Sequence, residues 1–184
     1  LSSLCLPSTV CPQLFALNFL PSTVCPQLTQ KGLLKQASVD AMAEADVVAV
    51  VLPGAQLYLK DTPPPVAALR AAGVTMAVAT DFNPGSSPVH DLWTAASMSC
   101  VTQGLTTDEA VLGITRNAGK ALGRPDIGWI GVDGATVADV AVFRPPPGEP
   151  AAVESMIQHM GGHDTVAVVM DGRVTFQGQP APAF

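Results

Sequence analysis

From Lys35 onward, apolar and polar positions fall into a regular order. Val47–Leu52 is a continuous apolar run of strand length ended by Pro53-Gly54, and Ser38 before it is placed to cap a short helix through Ala45. Pro63, Pro64 and Pro65 open a second helix, which carries Val66, Ala67, Leu69 and Ala71 and stops at Gly73. Val74–Ala79 is another apolar run. Strand, helix and strand in this order predict a βαβ unit. Neither strand alternates apolar with polar residues, so the pair is expected to be parallel and covered on both faces.

A polar loop, Thr80–Pro88, follows the second strand. The pattern then predicts a helix from His90 to Gln103 closed by Gly104, and a T-x-x-E capping box at Thr106–Glu109 opens one helix to Leu122, with Gly123 as its stop. Asp139–Phe143 and Thr165–Met170 read as strands, and Asp171-Gly172 is a hairpin turn into Val174–Phe176. Near Arg124 the chain therefore changes from βα units to short β elements, as at the junction of two layer systems.

The first part of the chain follows different rules. LPSTVCPQL occupies residues 6–14 and recurs unchanged at 20–28. Two copies are too few for a solenoid, the prolines in each interrupt a helix, and no basic residue precedes the apolar run as in a signal peptide. The chain starts with Leu1. Residues 1–34 are accordingly read as an atypical repeated segment, either a fragment or gene-model artefact or a poorly ordered extension. Residues 35–124 are read as one α/β unit and 125–184 as a smaller β unit.

Composition narrows the function classes. The 184 residues are 48% hydrophobic and carry a net charge of −6, which disfavours both disorder and an electrostatic nucleic-acid binder. A complete (β/α)₈ barrel needs about 250 residues. No span is long and unbroken enough for a membrane helix. Cys5, Cys11, Cys25 and Cys100 form no C-x-x-C pair and are expected to be free thiols in a cytoplasmic protein.

Chemistry concentrates in Thr80–Pro88. Asp81 lies just past a parallel strand's C-terminal end, where barrel enzymes place catalytic groups, and a carboxylate there can ligate a divalent metal or take a proton from water. Asn83, Gly85 and Ser86 offer an amide, an unobstructed N–H and a hydroxyl to a ligand. The same residue types also build an Asx-type turn, in which Asp81 and Asn83 satisfy only their own loop.

Val47–Gly54 (VVAVVLPG), Leu69–Pro88 (LRAAGVTMAVATDFNPGSSP) and Gly104–Arg124 (GLTTDEAVLGITRNAGKALGR) resemble consecutive blocks of the imidazolonepropionases, metal-dependent members of the amidohydrolase superfamily that act in histidine degradation. Gly128–Phe143 (GWIGVDGATVADVAVF) is similar to that family's return from its barrel to a small β-sandwich. The resemblance spans roughly residues 38–176 and implies an α/β fold: the C-terminal part of a TIM-type (β/α)₈ barrel plus part of the sandwich. It implies Asp81 as metal ligand and as the group handling the attacking water's proton, and Asn83, Gly85 and Ser86 as substrate contacts. The implied reaction is hydrolysis of the cyclic amide in 4-imidazolone-5-propanoate to N-formimino-L-glutamate. A zinc or iron ion would lower the pKa of a bound water. The expected partners are a small-molecule substrate and a second copy in a homodimer, with neither nucleic acid nor membrane.

The family's H-x-H pair and middle-strand histidines have no counterpart among His90, His159 and His163. One carboxylate does not make a catalytic metal site, so the chain alone is expected to be inactive and to retain no metal. The missing barrel strands are expected to leave both predicted strands with unpaired edges. His90 is read as a solvated helix-terminus residue, and His159 and His163 as surface residues. Trp93 and Met98 are read as core, and Trp129 as packing between layers. Arg70, Lys120 and Arg124 are read as scattered solvated charges, and Tyr58 as a loop residue able to meet ligand. Two alternatives stay open: a non-catalytic remnant of the fold, and another cyclic-amide amidohydrolase, against which the N-P-G-S-S-P tail counts.

Overall fold

The computed structural model describes residues 24–25, 36–132, 136–161 and 163–178. The rest of the 1–35 segment, including the first LPSTVCPQL copy, lies outside the described residues. Two of its residues, β1 (Val24–Cys25), are strand and come from the second copy.

The first region is a parallel sheet with helices. After α1 (Gln36–Glu44), β2 (Val48–Val51) pairs in parallel with β1 on one side and with β3 (Met76–Val78) on the other. The expected parallel βαβ unit is present, but β2 is the central strand, so the expectation that it has an unpaired edge is corrected. One sheet face, with Ala49, Val51, Met76 and Val78, packs into a cluster with Val39 and Met42 of α1 and with Val66 and Leu69 of α3 (Val66–Ala71). On the other face Val48 and Ala77 meet Ala121. Both faces are covered, as continuous apolar strands require.

Three local expectations need correction. Pro53 does end β2, but it also opens α2 (Pro53–Leu59), because proline at the first helical position lacks only an N–H that would go unpaired anyway. Tyr58 is therefore an exposed helical residue, not a loop residue. The helix after the Thr80–Pro88 loop is α4 (Leu92–Met98) followed by a π-helical turn, Ser99–Gln103, which ends at left-handed Gly104. The single helix predicted from Thr106 is two: α5 (Thr107–Ile114) and α6 (Arg116–Ala121). They break at Thr115, whose hydroxyl donates to the Val111 carbonyl at 2.6 Å and competes with the helical pattern. The capping box itself forms as predicted, with Glu109 and Thr106 exchanging bonds. Gly113 lets α5 lie against β3, since a Cβ there would come within 2.8 Å of Val78.

The second region is an antiparallel sheet, β4 (Val140–Arg144), β5 (Asp164–Met170) and β6 (Arg173–Gln177), in that order. Asp171 and Gly172 both have positive φ, as the predicted hairpin turn requires. The pattern did not predict α7 (Val153–Gln158), which packs on α4 and α5. Trp93 joins the regions, stacking edgewise on Phe143 and on His163, with ring centroids 5.4 Å away in each case.

The charges expected to be scattered are paired. Arg70 of α3 holds Glu109 of α5 through two 2.6 Å bonds, Lys120 meets Asp46 and Arg124 meets Asp126. Met98 is buried as expected. Trp129 donates to the Pro125 carbonyl and lies under the Arg116 guanidinium, beside the connection that follows α6.

Candidate active site

The site grows from the end of β3. Val78 is the last strand residue, and Ala79 is tied back to Val51 of β2 by an N–H···O bond of 3.1 Å. The chain turns sharply at Asp81, where φ is +50°. Aspartate tolerates this left-handed geometry better than most L residues, because its short polar side chain suits it. Partial burial pushes the Asp81 carboxyl above the ordinary carboxylate range. The predicted location at a parallel strand's C-terminal end is thus where the residue stands.

Asn83 organises the loop beyond it. Its Oδ1 accepts from the backbone N–H groups of Gly85 (2.9 Å) and Ser86 (2.8 Å), and its Nδ2 donates to the Asp81 carbonyl at 2.6 Å and to Ser86 Oγ at 2.9 Å. Ser86 is buried and Gly85 is exposed. The loop therefore brings Asp81, Asn83, Gly85 and Ser86 into one short turn. The self-satisfying geometry holds for Asn83, which bonds its own loop through both polar atoms. Phe82, on the outside of this turn, is exposed and meets the exposed His90 ring edgewise, with centroids 6.0 Å apart.

Sequence reasoning missed two residues here. Ser87 is fully buried, and its Oγ donates to the Thr80 carbonyl at 2.6 Å. Gly54, at the start of α2, lies against that hydroxyl so closely that a Cβ there would come within 2.4 Å of it. No local signal links positions 54 and 87. Pro53-Gly54 reads in sequence only as the end of a strand.

His163 departs from its expected surface placement. Both of its ring nitrogens are buried, and neither has a hydrogen-bond partner among the described residues. Burial lowers its pKa, with nearby Asp91 pulling the other way and His159 adding to the depression. His159 bonds the Ser155 carbonyl through Nδ1 at 2.9 Å. Among the described residues, no three His, Cys, Asp or Glu side chains come together as a metal site. Asp81 and the residues around it do not by themselves make up a metal's ligand set.

No protein-family profile matches the chain. It is 44% identical over 142 residues to the imidazolonepropionase of Alteromonas mediterranea, an overlap covering 76% of this chain and 32% of that protein. It is 54% identical over 107 residues to that of Maricaulis maris, covering 57% of this chain and 26% of that protein. The chain resembles the imidazolonepropionases. It spans between about a quarter and a third of the length of these curated relatives.

The fold agrees with this imidazolonepropionase likeness. A zinc-bound adenosine deaminase from Xanthomonas campestris superposes with a TM-score of 0.71 at 23% identity, over 79% of this chain and 36% of that one. The zinc complex of atrazine chlorohydrolase from Arthrobacter aurescens TC1 gives 0.71 at 20% identity, over 83% and 36%. The chain thus shares the mixed α/β fold of the amidohydrolases. Among the described residues, no helix is long and apolar enough to cross a membrane.

Proposed function

We propose that this chain is the part of an imidazolonepropionase-type hydrolase that carries the acidic rim of its site. In this reading residues 35–124 are barrel and 125–184 are part of a small β-sandwich. Asp81 takes the proton of the attacking water, as a carboxylate at a strand's C-terminal end can. Asn83, Gly85 and Ser86 exchange part of their mutual hydrogen bonds for the polar groups of 4-imidazolone-5-propanoate, and until ligand arrives those bonds shape the loop. Hydrolysis of the ring C–N bond yields N-formimino-L-glutamate. Asp81 stands as one ligand of a zinc or iron ion whose remaining ligands are not among the described residues. The working form in this reading is a cytoplasmic homodimer, and the chain alone turns over no substrate.

The observation that carries the reading is Asp81, just beyond a parallel strand, its backbone carbonyl bonded to Asn83, which in turn holds Gly85 and Ser86 in the same turn. Binding tests it without requiring turnover. N-formimino-L-glutamate added to the ¹⁵N-labelled chain is expected to shift the amide signals of Asn83, Gly85 and Ser86. Asp81→Asn should keep the fold and weaken those shifts about tenfold or more in ligand concentration, as loss of a charge-assisted contact predicts. Silence at these three amides overturns the reading, and shifts produced by guanine instead support a different amidohydrolase.

A further inference from the structure

Two hydrogen bonds bracket the backbone of Asp81. The peptide plane entering it carries the Thr80 carbonyl, which accepts from Ser87 Oγ at 2.6 Å. The plane leaving it carries its own carbonyl, which accepts from Asn83 Nδ2 at 2.6 Å. Peptide planes are rigid, so pinning both restricts rotation about φ and ψ and fixes the direction in which the Asp81 Cα–Cβ bond leaves the chain. The conformation held between them is left-handed, φ +50°, one that strains most L residues and that aspartate tolerates better.

Ser87 is seated as a clamp requires. It is fully buried, and its backbone exchanges N–H···O bonds with Asn83, at 3.0 and 3.3 Å, which close the neck of the loop. Its hydroxyl is pressed between the end of β3, through Thr80, and the start of α2, through Gly54. A side chain at position 54 would fill the hydroxyl's place, since an added Cβ falls 2.4 Å from Oγ. The ends of two neighbouring strands are thus referenced to one buried hydroxyl.

We propose that Ser87, seated on Gly54, is a positioning residue that locks the backbone of Asp81 in its left-handed turn and so aims the Asp81 carboxyl from the rim. The part played by the aimed carboxyl rests on the hydrolase reading, whereas the clamp itself does not.

The test reads the backbone of Asp81 in the full chain by NMR, from carbon and nitrogen chemical shifts and the three-bond H–N–Cα–H coupling. Ser87→Ala should move Asp81 out of positive φ and speed exchange of the Asn83 amide, which is bonded across the neck of the loop, about tenfold, the scale of one net hydrogen bond. Ser87→Cys keeps the shape of the side chain with a bulkier, weaker donor and should do the same, and it serves if the alanine variant does not fold. Gly54→Ala combined with Ser87→Ala puts a methyl into part of the vacated space, 3.1 Å from Val89 Cγ2, and should restore packing there without recovering positive φ. Positive φ and unchanged exchange in both Ser87 variants overturn the clamp, and so does recovery of φ in the double variant, which would make packing alone responsible. If Asp81→Asn binds ligand as before, the hydrolase reading fails and the clamp stands.

Discussion

In the parallel region Val48, Ala49 and Val51 of β2 are fully buried, whereas every residue of β6 in the antiparallel region is exposed, Val174 at 65% and Phe176 at 49%. Both sheets have three strands and both are rich in valine. The difference lies in what covers them. α1, α3 and α6 close both faces of β2 and β3, but the described residues leave most of β4–β6 open and anchor them at one seam, Trp93 against Phe143 and His163. Burial thus follows from neighbouring elements rather than from the strand's own composition. The candidate site sits on the covered region, where the loop inherits a fixed strand end. Rigid support of that kind is what a positioned carboxyl requires.

Unequal cover predicts unequal sensitivity. Leu69 is fully buried in the parallel region's main cluster, so Leu69→Ala should cost about 3 kcal/mol and unfold that region, as chemical denaturation would record. Equal loss of amide protection in both sheets on mild destabilisation would break the contrast. Trp93→Ala should cost less, about 2 kcal/mol, because the ring is only partly buried. Its effect should fall on hydrogen exchange in 140–177 while β2 and β3 stay protected, and a uniform rise in exchange would contradict the single seam.

The smallest effect is a pH dependence at the same seam. Burial holds the folded pKa of His163 below its unfolded value, so the unfolded chain binds the extra proton first. Stability is therefore intact above an unfolded pKa of about 6.5 and declines as pH falls from there through the lower folded value. Asp91 opposes the decline. Burial raises its carboxyl, but hydrogen bonds from Thr94 and the proximity of His163 outweigh that and leave it below the ordinary range. Thermal melts from about pH 7.5 to about pH 5 should fall more steeply for the natural chain than for His163→Phe. Parallel profiles would remove His163 from the account.

Much of the framework was legible because its signals are local. The Thr106–Glu109 capping box, the glycine stops at 73, 104 and 123 and the Asp171-Gly172 turn each occupy a few consecutive residues, and all of them form. Asp81 at the strand end and Asn83 as a turn former were readable for the same reason. The break at Thr115 was not, since one helical period runs through it and only a hydroxyl competing for a carbonyl interrupts it. Arg70 also misled: in sequence it is an isolated charge, and its carboxylate partner lies on another helix.

The amino-acid order alone determined those strand and helix ends that a proline, a glycine or a capping box marks, since such signals act through the nearest few bonds. The assembled fold decided which valines became dry, which histidine lost its water, and that a serine at position 87 would meet a glycine at 54. Those outcomes depend on residues far apart in the chain reaching one place, and short-range pattern carries no record of such meetings.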